Sequence, residues 1–162
     1  MLVAVISDTH LPRGGRRLPD ACLERLRSAD LVLHAGDVVS EDVLEELEGL
    51  GPPVHAVHGN MDELALCERL PETCVVEVSG VRIGMTHDAG PRAGREERLV
   101  RRFPGCAAVV YGHTHEPQVG RVGEVWILNP GSPTERRRAP SHTMLLLGVE
   151  GERIEPQLVT LS

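Results

Sequence analysis

Asp8, His10, Asp37, Asn60, His87, His113 and His115 are carboxylates, a carboxamide and imidazoles, the side chains that bind divalent cations of hard to borderline character. They stand in short blocks, Ser7-Asp8-Thr9-His10, Gly36-Asp37, Gly59-Asn60-Met61-Asp62, Thr86-His87 and Gly112-His113-Thr114-His115. Taken singly, most blocks have an ordinary explanation. Asp-x-His after a strand serves as a turn or cap, and Gly-Asp and Gly-Asn are turn dipeptides. Only His113 and His115, two imidazoles beside Gly112, are costly choices for a plain loop. The ordered set points to metal binding, and because the blocks are far apart in sequence, binding needs a fold that gathers them.

The flanking elements suggest such a fold. Leu2 to Ile6 is an unbroken apolar run that turns polar at Ser7, the pattern of a strand buried on both faces. Leu31 to Ala35 and Val54 to Val57 repeat it ahead of Asp37 and Asn60. Leu18, Cys22 and Leu26 fall four apart and predict a helix over residues 18 to 28, with Pro19 in its first turn. Ser40 is suited to cap a second helix with Glu41 and Asp42 in its first turn and Val43, Leu47 and Leu50 as its buried stripe; Gly51-Pro52-Pro53 ends it. Strand, helix, strand, helix, strand implies a parallel sheet with crossover helices, and ligands of such sheets collect beyond the carboxyl ends of the strands.

The second half reads differently. After a short helix near 63 to 69, Val75, Val76 and Val78, the turn Ser79-Gly80, and Val81, Ile83 and Met85 predict an antiparallel hairpin that delivers Thr86-His87 to its end. An Arg-rich helix near 94 to 103 precedes a buried strand, Ala107 to Tyr111, which runs into Gly112-His113-Thr114-His115. Strands near 117 to 121, 124 to 128, 142 to 149 and 152 to 159 are expected to form an antiparallel meander around Asn129-Pro130-Gly131-Ser132. With 162 residues, no repeat and no linker, the chain reads as a single domain over residues 1–162.

Composition narrows the function. Aromatics are only 2% of the chain, so the core is built from Leu, Val, Ile and Ala and few rings exist on which bases could stack. A net charge of −7, with every basic residue an Arg, argues against stable nucleic-acid binding or attraction to an anionic membrane surface, though it permits a local cationic site. No apolar run approaches the roughly 20 residues of a membrane-spanning helix. Cys22, Cys67, Cys74 and Cys106 lack Cys-x-x-Cys spacing, and the chain opens on a strand with no room for a basic, apolar leader, so a cytoplasmic location is expected.

In order and type these blocks resemble those of the calcineurin-like metallophosphoesterases, most closely their small bacterial and archaeal phosphodiesterase branch. Asn129-Pro130-Gly131-Ser132 matches a further block of that branch. The resemblance covers nearly the whole chain. It implies an α/β fold, a four-layer α-β-β-α sandwich of two mixed sheets flanked by helices. It also implies two divalent metal ions, one held by Asp8, His10, Asp37 and His115, the other by Asp37, Asn60, His87 and His113, with Asp37 bridging. The residue types suit these roles, since a carboxylate offers anionic oxygens to two cations and Asn60 ligates without adding charge. Manganese is expected by family habit, and iron, zinc, nickel or cobalt are compatible with the same donors.

The activity implied is hydrolysis of a small phosphate ester, a diester first, by in-line attack of a hydroxide bridging the two ions, with Asp37, Asn60 and Asp62 assigned to catalysis. Two divalent ions bring four positive charges and two carboxylates with a hydroxide remove three, so the site keeps about +1 and attracts an anionic ester. Asp62 is expected just outside the ligands, orienting an imidazole. His34 and His58 could act likewise, or be buried structural histidines. Met61 departs from the many members that carry His there, a group that stabilises the transition state or protonates the leaving group; the small branch often shares the departure. Arg13, Arg16, Arg17, Arg92, Arg95, Arg136, Arg137 and Arg138 could grip an anionic substrate or be solvated loop charges.

A phosphomonoesterase or nucleotide pyrophosphatase would use the same core. A binding scaffold is the competing class, because one eukaryotic relative, a subunit of the retromer coat, keeps the fold as an interaction module. Degraded metal ligands are expected to mark such scaffolds, and here all seven positions are competent. A homo-oligomer is compatible with the sequence.

Overall fold

Alternate side chains of a strand point to opposite faces, so a strand that is apolar throughout needs cover on both sides. β1 (Leu2–Ile6) is such a strand, with Val3 and Val5 buried on one face and Ala4 and Ile6 on the other. The computed structural model describes residues 1–161 except the side chain of Arg13; Ser162, the end of the expected domain, lies outside the described residues. After β1 come α1 (Asp20–Ser28), β2 (Leu31–His34), α2 (Glu41–Glu48), β3 (Val54–Ala56) and α3 (Leu64–Arg69). The second half contains β4 (Thr73–Val78), β5 (Val81–Thr86), α4 (Arg95–Arg102), β6 (Ala108–Val110), β7 (Gln118–Val122), β8 (Val125–Asn129), β9 (Thr143–Glu150) and β10 (Arg153–Thr160).

Two mixed sheets result, in the orders β10-β9-β1-β2-β3 and β4-β5-β6-β8-β7. In each, three neighbouring strands run parallel, β1-β2-β3 and β5-β6-β8; antiparallel pairing adds β9 and β10 on one side of the first set and β4 and β7 on the two sides of the second. The inner faces meet: Val3, Val5, Leu31 and Leu33 share one buried cluster with Val76, Ile83, Met85, Val110 and Leu128. Outside the first sheet, Ala4, Ile6 and Val32 are covered by Cys22 and Leu26 of α1 and Leu47 of α2. Outside the second, Val109 and Ile127 are covered by Leu99 of α4 and Phe103. The result is the expected sequence of helix, sheet, sheet and helix layers.

Three details differ from expectation. Pro19 stands at the N-cap of α1, one position before its first turn. Ser40 does occupy the N-cap of α2, but its hydroxyl makes no capping bond; its carbonyl accepts the N–H of Leu44. The last four strands are not one meander. β7 and β8 pair within the second sheet, β8 lying parallel to β6, while β9 and β10 join the first sheet through β1. Asn129-Pro130-Gly131-Ser132 is the passage between sheets. Strand alternation identifies a buried face but not the partner that covers its edge; β1, paired with β2 on one side only, leaves an open edge that β9 closes.

The cysteines are free, and among the described residues no helix is long and apolar enough to cross a membrane. Leu145 lies in the layer between the sheets with no exposed surface. Leu145→Ala is therefore expected to lower stability by about 2–5 kcal/mol, read as a shift of the urea midpoint. Leu158→Ala, at a position 43% exposed, should stay within about 0.5 kcal/mol. Equal shifts for the two would contradict this placement of the core.

Candidate metal centre

The carboxyl ends of β1, β2, β3, β5 and β6 meet where the sheets abut. The N–H groups of Asp8 and His10 donate to the carbonyls of Gly36 and Asp37, and that of Gly112 donates to the carbonyl of His87. Across the sheets, the N–H of His113 donates to Oδ2 of Asp8 at 3.0 Å. Asp8, His10, Asp37, His113 and His115 all have left-handed backbones, with φ between 47° and 70°. Asp and His tolerate that region better than branched residues, yet each such residue costs on the order of 1 kcal/mol or more. Two glycines permit the crowding: a Cβ on Gly59 would lie 2.1 Å from Oδ1 of Asp37, and one on Gly112 would lie 2.1 Å from the Ser7 hydroxyl.

The donor atoms converge. Asp8 uses Oδ2 to accept from the Ser7 hydroxyl and His113, leaving Oδ1 turned towards Nε2 of His115, His87 and His10 at 3.5, 3.8 and 3.9 Å. Asp37 accepts the N–H of Met61 on Oδ1 at 2.8 Å and aims Oδ2 between His10 and His87, 3.3 Å from Nε2 of each. Asn60 Oδ1 lies 3.0 Å from Nε2 of His87 and 3.1 Å from Nδ1 of His113. All seven sequence-predicted residues thus sit together, with Asp37 close to both His10 and His87. Asp8 also lies within reach of Asp37 and His87 as well as of His10 and His115.

Second partners aim the rings. Nδ1 of His87 donates to the Ala35 carbonyl at 2.7 Å and Nδ1 of His115 to the Glu135 carbonyl. A carbonyl can only accept, so in each neutral ring the lone pair lies on the inward Nε2. Oδ1 of Asp8, both ring nitrogens of His10 and Nε2 of His115 are buried without a hydrogen-bond partner among the described residues. Each such group costs about 1–3 kcal/mol. An anionic oxygen and imidazole lone pairs at these separations fit a divalent cation, which would satisfy Oδ1 of Asp8 and Nε2 of His10 and His115 together; Nδ1 of His10, on another edge of its ring, is out of reach of the same ion.

Without a cation, protons take part of that role. Burial draws the pKa of His10 down, but the carboxylates of Asp37 and Asp8 more than reverse this and raise it to about 9. His87 is raised against burial in the same way, chiefly by Asp37. Burial pushes Asp37 up, while the imidazoles of His10 and His87 hold its carboxyl well below the usual carboxylate range. His115 is lowered by burial, with Arg137 adding to the effect.

The surrounding residues divide. Asp62 accepts the backbone N–H groups of Asp37, Val39 and Gly59 at 3.2, 2.6 and 2.6 Å, so it fixes the loop that carries Asp37; the expectation that it orients an imidazole is corrected. His34 accepts the N–H of Gly36 on Nδ1 and meets the Thr9 hydroxyl with Nε2, and burial lowers it to about 4, which makes it a neutral structural histidine. His58 is half-buried beside Asn60 and Cys67. Arg95 and Arg136 donate to the Gly90 and Ala139 carbonyls, whereas Arg16 pairs with Glu135 near the donors; Arg17, Arg92 and Arg138 are exposed, and the Arg13 side chain lies outside the described residues.

Sequence reasoning missed the supporting contacts of four residues, Ser132, Asn129, Arg98 and Glu135. Ser132 donates to the Asp8 carbonyl at 2.8 Å and Asn129 to the Gly112 carbonyl at 3.2 Å, which gives the Asn-Pro-Gly-Ser block its physical role of tying the two sheets together at the centre. Arg98 clamps the loop after His87 by donating to the carbonyls of Ala89, Pro91 and Ala93. Glu135 stands beside His10. The block itself was visible as a motif, while Arg98 and Glu135 carry no local signal.

The sequence pattern of the calcineurin-like phosphoesterase superfamily domain matches residues 1–152. A probable metallophosphoesterase of Methanothermobacter thermautotrophicus is 37% identical over 161 residues, 98% of this chain and 92% of its own. A phosphodiesterase of Methanocaldococcus jannaschii is 30% identical over 147 residues, 81% of this chain and 83% of its own. Among solved structures, wild-type Vps29 of Entamoeba histolytica complexed with zinc superposes with a TM-score of 0.79 at 26% identity, covering 100% of both chains.

The histidines predict how stability follows pH once metal is removed by a chelator. His34 and His115 lie below the free value of 6.5, so the stability tied to their neutral forms is lost as pH falls below 6.5. His10 and His87 lie above it, so the stability they add is full below pH 6.5 and is lost as pH rises towards 9. Denaturant midpoints of the chelated protein should therefore peak near pH 6.5 and move upward in pH when a divalent cation replaces the protons. A chelated protein that gains stability steadily from pH 6.5 to 9 would contradict the arrangement.

Proposed function

The chain belongs to the calcineurin-like phosphoesterase superfamily, and on that premise we propose that it is a phosphodiesterase working through two divalent ions. Asp8, His10, Asp37 and His115 would hold one ion, and Asp37, Asn60, His87 and His113 the other. The observation that carries this reading is Oδ2 of Asp37, 3.3 Å from Nε2 of both His10 and His87, which would let one carboxylate serve both ions. When bound, such ions supply a hydroxide nucleophile at neutral pH and neutralise charge on the phosphoryl oxygens. Manganese is the first candidate, with iron, zinc, nickel and cobalt suited to the same donors.

The chain's own residues set the geometry. Asp62 fixes the Asp37 loop, the carbonyls of Ala35 and Glu135 aim His87 and His115, and the N–H of Met61 leaves Asp37 one oxygen for the centre. The M. jannaschii phosphodiesterase, 30% identical, supports a diester as substrate. A scaffold role is the second reading, favoured by the full-length likeness to Vps29. That protein is itself solved with zinc, so metal binding alone does not separate an enzyme from a Vps29-like chain. Hydrolysis is therefore the criterion.

Protein supplied with manganese should hydrolyse bis(p-nitrophenyl) phosphate faster than p-nitrophenyl phosphate. Asp37→Ala should cut the rate by more than roughly a hundredfold, beyond the 10- to 100-fold typical of an outer-shell change. Activity that survives this substitution removes the mechanism; no hydrolysis with any of the five metals turns the reading to the scaffold. Met61 also has no proton to give to a leaving group, so aryl diesters should react far faster than alkyl ones. Equal rates for both would show that another group donates the proton.

A further inference from the structure

Glu135 stands beside the centre but outside the seven-residue set. Its Oε2 lies 3.7 Å from Nε2 of His10, a buried nitrogen with no hydrogen-bond partner among the described residues. Its Oε1 pairs with Nη2 of Arg16 at 3.2 Å, and its side chain is only 25% exposed. The loop around it is built onto the donors. The Ser132 hydroxyl accepts the N–H groups of Thr134 and Glu135 at 3.2 and 2.8 Å and donates to the Asp8 carbonyl at 2.8 Å. The Thr134 hydroxyl donates to the Thr9 carbonyl, and the Glu135 carbonyl accepts from Nδ1 of His115. One residue therefore orients His115 through its backbone and brings a carboxylate to His10 through its side chain.

Resting on the two-ion reading above, we propose that Glu135 is a further carboxylate ligand of the ion held by Asp8, His10, Asp37 and His115, with Arg16 steadying its second oxygen. A third carboxylate brings the centre from about +1 to about neutral in the absence of substrate. The reach of the side chain is the discriminating property. Aspartate at this position keeps the charge but draws the carboxylate back by one methylene, so a ligand is lost while a merely electrostatic contribution is kept.

The test is metal titration by calorimetry, with manganese alone as the probe, on wild type, Glu135→Asp and Glu135→Ala, each first shown to melt cooperatively. The spectrum of the cobalt-loaded proteins serves as a second readout. Both variants should bind one of two ions about tenfold or more weakly, the scale of a ligand or ligand-orienting change, and both should alter the cobalt spectrum. Glu135→Asp matching wild type in both readouts overturns the proposal, because charge alone then suffices. Both variants matching wild type overturns it as well, because Glu135 then serves only Arg16. Wild type binding fewer than two ions overturns the two-ion reading itself, an outcome distinct from either.

Discussion

The centre is arranged around one close approach, that of a single carboxylate oxygen of Asp37 to imidazole nitrogens of both His10 and His87. Bringing it about takes backbone that no regular strand supplies. The chain leaves β1, β2 and β6 through left-handed residues, Asp8, His10, Asp37, His113 and His115, so that side chains which would otherwise alternate across a sheet turn to one point. Gly59 and Gly112 remove the Cβ atoms that would collide there. Buried donors without partners and strained backbone both oppose folding. The apolar layer between the sheets offsets them, because it joins side chains of both sheets, from Val3 to Ile154, in one buried cluster.

Residue type and strand pattern made the candidate site legible. Each block follows an apolar run, and the polar residues appear at the carboxyl end of that run, where ligands of parallel sheets collect, so the sequence alone puts Asp8, Asp37, Asn60 and His113 on a shared rim. The parallel strands and crossover helices of the first sheet were legible for the same reason, whereas the four layers came from the family resemblance. The allocation of β9 to the first sheet was not, because a period of two reveals faces and not edge partners. Asp62 was misjudged because its partners are backbone N–H groups at Asp37, Val39 and Gly59, which three-dimensional placement alone brings within reach. Glu135 and Arg98 lie in polar stretches where any charged residue reads as solvated.

Two relatives frame the functional question from opposite sides. A phosphodiesterase and a Vps29 both align with most of the chain, and the Vps29 binds zinc in its solved form. Retained ligands therefore argue for a metal more directly than for a reaction. The argument for a reaction comes from exposure. Asp8, His10 and His115 are fully buried, whereas Asn60 is exposed and His113 is half-buried, with Met61, 37% exposed, beside them.

A centre sealed on one flank and open on the other differs from a structural metal site, which closes its coordination on all sides. The sealed flank keeps Asp8, His10 and His115 in fixed geometry, held by Ser7, Ser132 and the Glu135 carbonyl. The open flank is where an ester can reach the donors, since Asn60 contributes no charge to repel an anion and the side chain of Met61 gives none. Rigidity on one side and access on the other are what in-line displacement requires, because the nucleophile must be held while the leaving group departs. That division is carried by residues from both sheets, since Asp8 and His10 follow β1 of the first and His113 and His115 follow β6 of the second.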